Sequence, residues 1–81
     1  MYEKCIDKIV DLVLNYSDNE LYIREGVNEI LVKIFEKDGA KSVYILNTII
    51  VEYLNSQNYS QEIIYKILKI VDSVKKWIIL D

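Results

Sequence analysis

Proline is absent from this chain, and glycine occurs only at Gly26 and Gly39. A β domain turns back on itself every 8–12 residues or so and needs turn-forming residues at each reversal. A chain of 81 residues with two glycines cannot supply them. A few long helices need only a few stops, so the shortage of breakers already favours an all-α fold. The length allows one domain, spanning residues 1–81. A domain this small buries only about 60% of the surface its unfolded chain exposes. Hydrophobic residues make up 52% of the chain, too many for a disordered segment.

Apolar side chains recur at three- and four-residue spacing in four segments, which predicts four amphipathic helices. The first covers residues 2–15, with Cys5, Ile6, Ile9, Val10 and Val13 on one face and Glu3, Asp7, Lys8 and Asp11 on the other. The second covers 18–37. Ser17-Asp18-Asn19-Glu20 before it has the form of a capping box, with Ser17 as the cap. Gly26 inside this helix costs about 1 kcal/mol relative to alanine, and close approach of a neighbouring helix is the expected reason. Gly39 supplies the stop. The third covers 41–57. It is rich in Ile, Val and Tyr, which favour strands, but it is too long for a usual strand. Asn47, Thr48 and Glu52 group toward a polar side when wound as a helix. The fourth covers 60–78, capped by Ser60. Short connections make consecutive helices antiparallel neighbours. The expected fold is an antiparallel four-helix bundle.

The chain has no histidine, one cysteine and no phosphate-binding glycine loop. Histidine-based acid–base chemistry and a structural zinc site both lack their ligands. The alternating Asp7, Lys8 and Asp11 describe a solvated helix face. No catalytic residue, cofactor or metal is expected, and the chain is read as a binding protein and not an enzyme. Cys5 cannot form an intramolecular disulfide, which suits a reducing cytoplasm, and it is expected to act as a small core hydrophobe. No signal peptide pattern is visible. The longest apolar runs, such as Trp77-Ile78-Ile79-Leu80, fall far short of the about 20 residues of a membrane span. The expected location is the cytoplasm. The net charge of −3 argues against a general nucleic-acid binder.

Aromatic residues are 11% of the chain, including seven tyrosines. A core this small cannot take all of them, so part of the surface is expected to be aromatic. Tyrosine and tryptophan suit protein interfaces because they join apolar area to a polar tip. The end of the fourth helix, Lys75-Lys76-Trp77-Ile78-Ile79-Leu80, sets two cations beside four large apolar groups. It reads as a tail folded over the bundle, as a partner-binding anchor at Trp77, or as a peripheral membrane contact.

The order of elements resembles the immunity proteins of pediocin-like bacteriocins, of the enterocin A and mundticin type. The residues that carry the resemblance lie between Gly26 and Val74: VNEILVKIFEKDG at 27–39, VYILNTIIVEYL at 43–54, and the turn before Ser60 with Gln61 and Glu62 after it. The resemblance rests on pattern and spacing, with no signature residue. It implies an antiparallel four-helix bundle in the producer's cytoplasm that protects the cell from its own pore-forming peptide. It implies as partner the mannose phosphotransferase permease carrying bound bacteriocin. It also implies recognition through the C-terminal half. The recognition residues it suggests here are Tyr59, Tyr65, Lys69, Lys75, Lys76 and Trp77. The extended polar C-terminal tail of several family members has no counterpart in this sequence, and tail contacts are not expected to carry over.

Two other classes compete. A small helical regulator from a phage or mobile element would bind and block another protein with the same aromatic, acidic surface. A helix-turn-helix DNA binder would use Lys66, Lys69, Lys75 and Lys76, but the apolar density of that helix leaves few positions for base contact. Both a monomer and a homodimer are compatible with the broad apolar third helix.

Overall fold

The computed structural model describes residues 2–79. It is all-α, as the spacing predicts: α1 is Glu3–Asn15, α2 Glu20–Asp38, α3 Ala40–Ser56 and α4 Gln61–Ile78. The strand-like composition of α3 yields to its length and packing. Val43, Leu46, Ile50 and Leu54 keep helical spacing and are all buried. Tertiary burial outweighs the weak β preference of these side chains.

The start of α2 departs from expectation. Ser17 does not cap it. The cap is Asn19, whose Oδ1 accepts from the Tyr22 amide at 3.1 Å. Ser17 and Asp18 instead form the turn after α1, closed by the Asn19 amide donating to the Tyr16 carbonyl. A capping box places its partners three residues apart, and shifting the first helical residue to Glu20 removes that geometry. Ser60 caps α4 as expected, accepting from the Ile63 amide at 3.3 Å.

Each helix contributes four residues to one core, among them Ile9, Leu31, Leu46 and Ile67. Among the described residues the core holds no polar or charged side chain. Cys5 lies at its margin, half-buried and unpaired. Gly26 sits against α1, where an added Cβ would lie 2.6 Å from Leu12 Cδ1. This is the close approach that its position inside a helix suggests.

Helices α1 and α2 form one antiparallel hairpin, with Lys8 and Leu12 opposite Lys33 and Gly26. Helices α3 and α4 form a second, with Asn47 opposite Asp72. Only Gly39 separates α2 from α3. The hairpins cross. Tyr53, late in α3, reaches Asp7, early in α1, while Trp77 at the end of α4 stands beside Arg24 and Asn28 of α2. The extents of 30 × 27 × 21 Å agree, because a helix of 17 residues is about 26 Å long and two axes have that length.

The Tyr53 hydroxyl donates to Asp7 Oδ1 at 2.9 Å, tying α3 to α1. The neighbouring carboxylate raises the Tyr53 pKa above its ordinary 10.0. The group bound to the proton is the one favoured in the fold, so this contribution is full below the unfolded phenol range. It is lost as pH rises through the raised folded value. In an alkaline titration followed by phenolate absorbance, Asp7→Asn is expected to move Tyr53 back toward the ordinary value. An unchanged titration curve would mean the bond does not hold in solution.

Candidate functional site

An all-apolar core leaves recognition to the surface, and α4 carries the most exposed aromatic groups. Its buried residues Ile64, Ile67, Val71 and Val74 define one stripe. Turning each residue by about 100° from that stripe places Tyr65, Lys69 and Lys76 together on the outward face. These three line one shallow groove with Asp72. Tyr65 is 69% exposed.

Trp77 takes the adjoining flank, toward α2. It is 80% exposed and lines a separate cleft with Arg24, Glu25, Asn28 and Val74. The next two residues behave differently: Ile78 and Ile79 pack against the core. The apolar run is thus divided, with Trp77 outside and the isoleucines folded inward. Leu80 lies outside the described residues.

Lys75 and Tyr59 are set back from this surface. Lys75 is partly buried on the α3 flank, where its Nζ donates to Asn47 Oδ1 at 2.8 Å. Asn47 Nδ2 in turn donates to Asp72 Oδ1 at 2.8 Å. Burial lowers the Lys75 pKa, opposed by the nearby Asp72 carboxylate. Tyr59 packs against the core at the α3–α4 turn. The preceding residue, Asn58, has a φ of 64°, a left-handed value that asparagine tolerates in turns.

Of the six residues suggested by the resemblance, three share the outward face, Trp77 adjoins it, and two serve packing or helix pairing. Leu21, Arg24, Glu25 and Asn28 are not among those six, yet they border Trp77 or lie on its flank of α2. Their spacing marks a shared helix face, but only the crossing of the hairpins brings that face to Trp77. Further aromatic surface lies at the α1–α2 turn, where the Tyr16 and Tyr22 rings are 4.7 Å apart.

No group of three or more cysteine, aspartate and glutamate side chains among the described residues could hold a metal ion. Among the described residues no helix is long and apolar enough to cross a membrane. No family model, curated protein or solved structure matches the chain.

Proposed function

We propose that this chain is a bacteriocin immunity protein, acting in the cytoplasm by protein contact at the membrane receptor of a pore-forming peptide. The observation that carries the reading is the exposed aromatic and cationic surface of α4, with Tyr65, Lys69 and Lys76 on one face and Trp77 beside them. The resemblance of residues 26–74 supplies the class of partner, the mannose phosphotransferase permease with bacteriocin bound. Tryptophan, tyrosine and cations are the groups that anchor protein interfaces. A surface of this kind equally suits a phage-type regulator that blocks another protein, and the same experiment separates the two.

Expression in a strain sensitive to pediocin-like bacteriocins, challenged with a panel of them, is expected to give resistance to one or a few. Trp77→Ala is expected to abolish that resistance while leaving the circular dichroism spectrum unchanged. Absence of protection against every peptide, with soluble expression confirmed, would overturn the immunity reading in favour of the regulator.

A further inference from the structure

We propose that the outward face of α3 is a contact surface for a second copy of this chain, packed antiparallel to the first. Helix α3 carries two charged residues in 17, Lys41 and Glu52. The other helices carry five in 13, eight in 19 and six in 18. A low density of charge marks the centre of an interface and not a solvated face. Among the residues that α3 turns outward are Lys41, Ile45, Thr48 and Glu52, all exposed, with Ile45 46% exposed. Ile49, half-buried, lies one turn after Ile45 on the same flank.

Both charges are misplaced for their own helix. Lys41 lies in the first turn of α3, where the helix dipole favours an acid, and Glu52 lies one turn before its end, where the dipole favours a base. Helices α2 and α4 have the favoured order, Glu20 before Lys37 and Glu62 before Lys75 and Lys76. Neither Lys41 nor Glu52 has an ion pair among the described residues. The two are 11 residues apart, a spacing that returns a helix to within about 20° after about 16 Å. They share one line along α3 but are too far apart to pair within a chain. A two-fold axis midway between them sets Lys41 against Glu52 of the second copy at both ends of the contact, with Ile45 beside Ile49 of the second copy. Each charge then also lies toward the end of the neighbouring helix that attracts it. A parallel copy would oppose Lys41 to Lys41. With one cation and one anion, the face has no net charge that would select a cationic or an anionic partner. Area sets the strength. A face about 26 Å long and about 10 Å wide covers about 260 Å², against about 800 Å² per partner in a stable interface. The dimer is therefore weak and fills only at high protein concentration.

Sedimentation equilibrium between about 10 µM and about 1 mM, a range suited to a small interface, is expected to show monomer giving way to dimer. Lys41→Glu and Glu52→Lys are each expected to weaken the dimer about tenfold or more, because each turns two attractive pairs into two repulsive ones. An equimolar mixture of the two variants is expected to restore the dimer, with a Kd within about twofold of the wild type, since both pairs in the mixed dimer are again opposite in sign. The variants change the net charge in opposite directions, so general repulsion between copies would not weaken both. Circular dichroism confirms that each keeps its fold. Three results would overturn the proposal. The wild type stays monomeric through the whole range; either variant associates as the wild type does; or the mixture associates no better than each variant alone. The face on α3 is separate from Tyr65 and Trp77 on α4, so the resistance assay decides the immunity reading independently of these results.

Discussion

Leu46→Ala is expected to lower the unfolding free energy by about 2–5 kcal/mol, the usual range for truncating a buried leucine. Leu46 is fully buried, and the loss combines the transfer free energy of the removed atoms with the cavity left behind. A domain of this length has roughly 4–12 kcal/mol of stability in all, at 0.05–0.15 kcal/mol per residue, so the variant should unfold at far lower urea. Trp77→Ala removes a larger side chain but should change stability by only about 0.5 kcal/mol or less, because an exposed group gives up little packing. Urea unfolding followed by circular dichroism compares the two directly. A Trp77→Ala cost equal to that of Leu46→Ala would place the indole in the packing, and loss of protection by that variant would then say nothing about recognition.

That contrast also separates what periodicity makes legible from what it does not. Helical spacing identifies Ile64, Ile67, Val71 and Val74 as the inward stripe of α4, because a buried stripe must repeat with the helix. The same spacing counts Trp77 among the apolar positions of α4 and gives no sign that it is exposed. Its place on the edge of the stripe is compatible with either outcome, and what decides is how far α2 extends over it. Asn47 shows the complementary case. It groups with Thr48 and Glu52 as a polar residue, yet it is about 100° from Thr48 and turns to α4 to join Asp72 and Lys75. Hydrogen bonds between helices depend on which helices are neighbours and at what angle, and neither is written in a local pattern. The cap of α2 is ambiguous for a simpler reason: Ser17, Asp18 and Asn19 are all good caps, and the turn after Tyr16 selects Asn19.

Gly39 sets the angle between the hairpins, and its replacement should be costly without any clash. Its φ of 87° and ψ of 175° fall in a region that is essentially restricted to glycine. Its amide donates to the Phe35 carbonyl at 2.8 Å, closing α2. An added Cβ would meet nothing within 4 Å. The penalty for Gly39→Ala is therefore backbone strain alone, about 1–3 kcal/mol. A D-alanine at the same position, introduced by chemical synthesis, reverses the preference, since the mirrored angles fall in the broad extended region. It should match or exceed glycine, gaining up to about 1 kcal/mol from a stiffer unfolded chain. Gly26 differs in kind. There an alanine Cβ meets Leu12 Cδ1 at 2.6 Å, so its cost should shrink when Leu12 is shortened to alanine, whereas the cost at Gly39 should not. Equal unfolding midpoints for L- and D-alanine at position 39 would mean that the corner does not hold this conformation. The crossing that carries Trp77 to Arg24 and Asn28 would then need another cause. A clear separation of the two midpoints would tie the geometry of the α2–α4 cleft to one residue that lies outside it.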